Sequence, residues 1–309
     1  MRNKPESAAA QAEHARANRV GALAVVGAMA CFVVNDGLVK YASETIPGAQ
    51  LIFLRGVASS ALVLAIAAAT GVAHRIGEIA HRWVAVRALF DALTTVLFLL
   101  SLFHLPISTA TAINMTSPLM ITLLAPLVTG PRAGPAPWLA TSLGFVGVLL
   151  IVQPQADGFN AYAIVCLVAT LLASLRDLMT RRVPPGMPTI LVTLSTTAAV
   201  TVLAGVVSVF EGWGPVRPAE GAMTAVAAVF LSGGYFLIVR GMRHGDVAVV
   251  APFRYTALLF AMAIGYAVWG ELPNALAWCG IALVVGAGIH VLRHGRRARA
   301  AASGLDGPA

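Results

Sequence analysis

Ten apolar stretches divide this chain, each of the length that crosses a hydrocarbon core about 30 Å thick at about 1.5 Å of helical rise per residue. They cover residues 20–40, 48–71, 83–104, 107–129, 137–153, 160–180, 188–210, 222–241, 247–269 and 274–292. Lipid offers the backbone no hydrogen-bond partners, so segments this long and apolar predict α-helices that satisfy themselves. Little is left over for a soluble domain. Of 309 residues, 58% are hydrophobic and 11% charged, with a mean hydropathy of +0.82, which predicts an all-α integral membrane protein. The first stretch lacks a small-x-small cleavage site leading into a soluble region, so it reads as a span and not as a cleaved leader.

The ten stretches fall into two sets of five. At a spacing of 141 residues Asp36 pairs with Asp177, Lys40 with Arg181, Pro47 with Pro188 and Gly147 with Gly288; a spacing of 140 pairs Trp138 with Trp278. The sequence therefore divides into a polar N-terminal flank (1–19), a first five-helix repeat (20–153), a second (160–292) and a C-terminal tail (293–309), with both flanks expected to be disordered. A unit that crosses an odd number of times leaves its copy upside down. The prediction is ten transmembrane helices as two inverted repeats, an arrangement that many secondary transporters use to build alternating gates.

Basic residues orient the chain. With the N-terminus inside, fifteen Lys and Arg fall in cytoplasmic segments and only Lys40 and Arg217 outside, which predicts both termini in the cytoplasm of an inner-membrane, multi-pass protein. The net charge of +8 then finds its counter-charge in lipid headgroups and requires no nucleic acid. Cys31, Cys166 and Cys279 lie within spans without CxxC spacing or an adjacent His, so neither a metal nor a cofactor is expected.

The stretch WLATSLGFVGVLLIVQP (Trp138 to Pro154), Gly270-Glu271 and the segment Trp278 to Gly288 resemble the paired signatures of the drug/metabolite transporter superfamily, EamA-type. Further matches are Asn35-Asp36 with Lys40, Arg55, Pro118, and APFRYTALL (Ala251 to Leu259), and the pattern is most similar to the subgroup of bacterial S-adenosylmethionine and riboflavin uptake proteins. The resemblance implies a cavity between the halves, formed by spans 1, 3, 4, 6, 8 and 9, and uptake of a ring-containing metabolite; export of amino acids or drugs is the alternative it leaves. One departure is Pro131, where the family has Glu after the Gly that closes the fourth helix; Glu271 keeps that Glu in the second copy.

Apart from Lys40 and Arg240 at the span ends, seven charged residues lie within the spans: Asp36, Arg55, Arg87, Asp91, Arg176, Asp177 and Arg254. Each costs about 2.5 to 3.5 kcal/mol at the centre of an inserted helix, so each should face protein or water. Asp36, Arg176 and Asp177 lie near helix ends, where they can reach an interface or simply stabilise packing. Arg87 and Asp91 are four residues apart on one helix face: Asp91 binds a proton, a cation or a cationic substrate group, or Arg87 neutralises it and the pair only locks helices together. Arg254 has no acid on its own helix and is flanked by Tyr255, which makes it the strongest single candidate, with a structural partnership to Asp36 or Asp91 as the alternative. Ser108, Thr111, Asn114 and Ser117 recur every third residue before Pro118, lining a cavity or bonding between helices, and Asn114 is the member favoured for substrate. The Gly233-Gly234 pair before Tyr235 is either a flexible break or a close packing contact. The substrate-binding candidates are thus Arg254, Asp91, Arg87, Asn114, Tyr255 and Asp36, with proton or cation coupling in view.

Enzymatic and ATP-driven functions find no support in these residues. The only lysines, Lys4 and Lys40, follow no glycine-rich phosphate loop, Asp36-Gly37 has no second acidic cluster to make a phosphotransferase, and no HExxH occurs. A membrane-bound lipid-modifying enzyme remains the rival class. A purely structural membrane protein would leave the buried charges without a purpose.

Overall fold

The computed structural model describes residues 8–129, 135–153, 160–180, 182–184, 186–244 and 247–305. Pro131, with the question its substitution raises, lies outside them. The described residues form helices joined by short turns and loops and contain no strand. The helices are α1 (Ala8–Ala42), α2 (Gly48–Ala69), α3 (Arg82–His104), α4 (Ile107–Asn114), α5 (Ser117–Thr129), α6 (Pro135–Val152), α7 (Tyr162–Thr180), α8 (Thr189–Glu211), α9 (Pro218–His244), the single turn α10 (Val247–Val250), α11 (Thr256–Trp269) and α12 (Ala275–Leu305). Short 3-10 segments occupy Ala73–Ala80 and Ala251–Tyr255. Eight spans are long and apolar enough to cross a membrane, and two shorter apolar helices, Leu139–Val152 and Ala275–His290, stand where the fifth and tenth stretches were expected.

Helix boundaries follow local chemistry. Pro47 and Pro188, equivalent in the two halves, cap the starts of α2 and α8, where a missing N–H costs nothing. Gly270 ends α11 in the left-handed conformation at φ +67°, which costs a glycine little. α1 and α12 run further than expected into the polar flanks, because Ala8 to Ala10 and Ala298 with Ala300 to Ala302 carry the strongest intrinsic helix preference.

Two predicted spans are broken. The fourth stops at Asn114 and restarts at Ser117, ahead of Pro118, and the ninth passes from α10 through the 3-10 turn containing Pro252 before α11 begins. α9, by contrast, is continuous through Gly233 and Gly234. A methyl group on Gly234 would come within 2.6 Å of the Phe32 ring, so the glycine serves close packing.

The halves interlock. α1 packs on α9 and α3 on α7; α2 packs on α8 and α6 on α12; α1 meets α11 much as α4 and α5 meet α7. Exchanging the first set of five spans for the second maps these pairings onto themselves. At the end of the bundle where α1 finishes, hydrogen bonds, most of them between the halves, hold the helices together. Lys40 Nζ donates to the Leu105 carbonyl at 2.5 Å and to Glu271 Oε1 at 2.9 Å, while Glu271 Oε2 accepts from the Ile107 N–H at 3.0 Å. Glu211 accepts from the first N–H groups of α2, at Gly48 and Ala49, where a helix N-terminus favours an anion. Gln50 exchanges two hydrogen bonds with Gly214.

Candidate functional site

A cavity of about 200 Å³ lies between the halves. α1 contributes Asn35 and Asp36 to its wall; α2 Arg55 and Ser59, one turn apart on a single face; α3 Asp91 and Thr94; α4 its last residue, Asn114; α7 Arg176; and α9 Tyr235. It adjoins a wider chamber of about 550 Å³, sharing Ser59, Thr197, Leu231 and Tyr235 with it. That chamber is lined by Arg87 and Thr180, at the end opposite the Lys40–Glu271 bonds.

Two groups of charge face this space. In the first, Arg176 Nη1 meets Asp91 Oδ1 at 2.5 Å and Arg87 Nη1 lies 3.6 Å from Asp91 Oδ2. Arg176 also donates through Nε and Nη2 to Asp177 Oδ1 at 3.0 and 2.8 Å, and Arg87 donates to Thr180 and Thr196 at 3.0 and 2.8 Å. Every charge in this group is engaged. The i,i+4 partnership of Arg87 and Asp91 is present, but the shorter bond to Asp91 comes from Arg176, which the sequence placed at a helix end near the interface; the close packing of α3 on α7 turns it inward instead.

The second group is looser. Asn35 accepts from Arg55 Nη1 at 3.3 Å and donates to Asp36 Oδ1 at 2.8 Å, so an amide stands between the guanidinium and the carboxylate. Arg55 Nε, Ser59 Oγ and Thr94 Oγ1 are buried without a hydrogen-bond partner among the described residues. All three residues line the cavity. Buried polar atoms are nearly always bonded, and three exceptions around one space mark it out.

Of the six residues singled out in the sequence, Asp36, Asp91 and Asn114 come together on the wall of the central cavity, and Arg87 lines the adjoining chamber. Tyr255 does not: it is buried between the broken segments, its hydroxyl donating to the Met115 carbonyl at 3.4 Å and its ring against Gly288, where a Cβ would overlap it. Arg254 is exposed on the 3-10 turn, where the charge of Asp177 reaches it and no ion pair or hydrogen bond closes among the described residues. The polar row of the fourth span is divided by its break. Ser117 bonds to Ser174 at 3.3 Å, Ser108 faces a separate pocket beside Glu271, and only Asn114 reaches the centre. Arg55, Arg176 and Tyr235 were visible in the sequence as a buried charge, a helix-end charge and an aromatic wall; Ser59 and Thr94 were not, since uncharged hydroxyls in apolar helices carry no signal of depth or direction.

Among the described residues no group of three or more His, Cys, Asp or Glu is placed to hold a metal ion. Nor do the cavity residues form a nucleophile with a base.

Comparison with known proteins gives this arrangement its context. The model of the EamA-like transporter family matches the chain twice, over residues 19–153 and 160–293. The chain is similar to the pseudopaline exporter CntI of Pseudomonas aeruginosa (strain UCBPP-PA14), 28% identical over 275 residues, covering 88% of this chain and 96% of that protein. It is also similar to a riboflavin transporter of Rhizobium johnstonii (28% identical, 68% of this chain and 70% of that one) and to an S-adenosylmethionine uptake transporter of Rickettsia prowazekii (21% identical, 60% and 63%). A solved structure described only as "Crystal structure of protein" superposes with a TM-score of 0.62 at 19% identity, covering 90% of this chain and 98% of that one, a likeness of fold alone. With the family matched twice over nearly the whole chain and a polar cavity between the two matched segments, the chain belongs to the EamA-like transporter family and is a multi-pass membrane transporter of small molecules rather than an enzyme.

Proposed function

We propose that this transporter carries a ring-containing, charged metabolite across the inner membrane by alternating access at the central cavity. The observation that carries this reading is the cavity wall itself. Asp36, Asp91, Arg55 and Arg176 place two negative and two positive groups around a space bounded by both halves, with Arg55 Nε and two hydroxyls unpartnered among the described residues. Charges this deep are costly and are kept at substrate and ion pathways. Ten crossings in two inverted five-helix repeats with cytoplasmic termini give the cavity its two gates. The exchange symmetry of the helix pairings and the twofold family match support that topology. The Lys40–Glu271 end is then the closed outer gate, and the chamber beside Arg87 is the inward path.

Between the two uptake substrates the resemblance implies, the charges favour S-adenosylmethionine, which carries a carboxylate, an ammonium and a sulfonium, over riboflavin, whose rings are uncharged. Tyr235 and Phe236 offer the ring an aromatic wall in the wider chamber. Asp36 is the residue for proton or cation coupling, since Asp91 is already engaged by two guanidinium groups. Export is the second reading, favoured by the pseudopaline exporter, 96% of which the similarity covers.

Flux into liposomes carrying the purified protein, measured for a labelled metabolite panel with and without a pH gradient, tests the proposal. Saturable flux of a charged, ring-containing solute is expected. Turnover of a lipid with no flux of any solute would overturn it.

A further inference from the structure

We infer that Arg55, Ser59 and Thr94 form a carboxylate subsite, and that Asp36 faces the cationic group of the same solute, so that the transporter recognises an α-amino-acid head group. The inference rests on the assignment of the central cavity to substrate and goes on to say which atoms read it.

The three side chains share one property. Each is at least nine-tenths buried, lines the cavity and presents a polar atom without a partner among the described residues: Arg55 Nε, Ser59 Oγ and Thr94 Oγ1. Ser59 follows Arg55 by one helical turn on the same face of α2, and Thr94 reaches the same space from α3. All three can donate a hydrogen bond, and the guanidinium can only donate, so their common ligand is an acceptor. With a fixed positive charge among them, the fitting acceptor is an anion. A carboxylate, planar and able to accept at both oxygens, suits a guanidinium edge flanked by hydroxyls.

Asn35 then sets the geometry of the whole head group. Its amide spans from Arg55 Nη1 at 3.3 Å to Asp36 Oδ1 at 2.8 Å, which keeps the positive and negative groups one amide apart. A carboxylate and an ammonium on one α-carbon have a similar separation. Asp36 makes no ion pair among the described residues, whereas Asp91 meets both Arg176 and Arg87. The free acid is thus the one beside the unsatisfied donors. The neighbouring Arg176 and Asp91 balance each other and leave this polarity undisturbed.

Matched solutes that differ only in the carboxylate test the inference. The full chain in liposomes is assayed with labelled S-adenosylmethionine, tryptophan and histidine, with decarboxylated S-adenosylmethionine, tryptamine and histamine as their partners, and with riboflavin as an uncharged solute. At least one carboxylated member should be transported, and its partner, at about tenfold excess, should fail to compete. Ser59→Ala and Thr94→Val should each raise the half-saturation concentration for that solute about tenfold, the size of one hydrogen bond to a charged group, while the unfolding temperature stays within about 2 °C. Arg55→Gln should abolish discrimination within the pair; because that variant strands its neighbours, the two hydroxyl variants keep the test independent of its folding. Equal competition by the decarboxylated partner, flux of riboflavin alone, or unchanged half-saturation in both hydroxyl variants would overturn the carboxylate subsite and leave the transport reading standing. Absence of flux for every solute would remove the transport reading itself, and the subsite with it.

Discussion

The two charge groups of the cavity differ in how completely they are paired. Asp91 is held by guanidinium groups on two helices, and Arg176 closes the set through Asp177, so this group ties α3 to α7 and leaves nothing for a solute to satisfy. Asp36 and Arg55 are kept apart by the Asn35 amide, and Arg55 Nε, Ser59 Oγ and Thr94 Oγ1 have no partner among the described residues. In a low-dielectric interior a fully paired group holds the fold together but has little left to offer a ligand, while an underpaired one carries free energy that a ligand can recover on binding. Pairing therefore separates the group that ties helices together from the group proposed to bind the solute, which depth alone does not.

Breaking the paired group should have the largest effect. Arg176→Ala leaves the buried Asp91 with only the longer contact to Arg87, and losing one partner of a buried pair costs about 3 to 5 kcal/mol. A steep drop in the unfolding temperature of the purified protein is expected, with transport lost in proportion to folded protein. The double variant Asp91→Ala/Arg176→Ala should recover part of the stability, because no charge is then stranded. Full stability in Arg176→Ala would show the pair to be dispensable and erase the contrast between the groups.

Asp36→Asn should reverse the balance between stability and transport. The amide keeps an oxygen to accept from Asn35, so stability should change by about 1 kcal/mol, the scale of one hydrogen bond. Transport of a zwitterion at low concentration should fall about tenfold and lose its response to a pH gradient. Transport and gradient response both intact would move coupling and cation recognition away from Asp36.

Much of this architecture was legible in the residues and some was not, for identifiable reasons. Membrane-spanning helices follow from length and apolarity, and the paired prolines Pro47 and Pro188 do mark equivalent helix starts. Depth along a helix could be counted, which is how Asp91 was singled out, and Asn114 followed from the polar residues that recur every third position. Direction could not: Arg254 sits deep in the ninth stretch by residue number, but the 3-10 turn Ala251–Tyr255, which contains Pro252, resets the helical phase and turns it out of the cavity. Partnerships across the halves were also hidden, since Arg176 and Asp91 are 85 positions apart and no periodicity connects them. The exposed Arg254 now predicts a modest result. Arg254→Gln should raise half-saturation about threefold without altering stability, an effect that shrinks at high salt because it acts through the field at the surface and not through contact. Complete loss of transport would bring Arg254 into the cavity in another conformation of the carrier.

The smallest effect expected is at Tyr255, the neighbour of Arg254 that sequence alone grouped with it. Its hydroxyl makes one long bond, 3.4 Å, to the Met115 carbonyl at the break of the fourth span, and its ring fills the space that Gly288 leaves open. Tyr255→Phe keeps the ring and removes the long bond, so stability should fall by less than about 0.5 kcal/mol and transport should be unchanged. Gly288→Ala tests the same contact from the other side: a methyl group there meets the tyrosine ring, and overpacking should cost about 1 to 3 kcal/mol. Tyr255→Phe/Gly288→Ala should recover part of that cost, since the hydroxyl oxygen is the nearest clashing atom, but not all of it, since the ring carbon that carries it also lies within 2.5 Å. A loss of transport in Tyr255→Phe at full stability would instead show that the hydroxyl leaves Met115 to meet the solute, and the paired and underpaired groups would then have a third participant at the junction of the two broken spans.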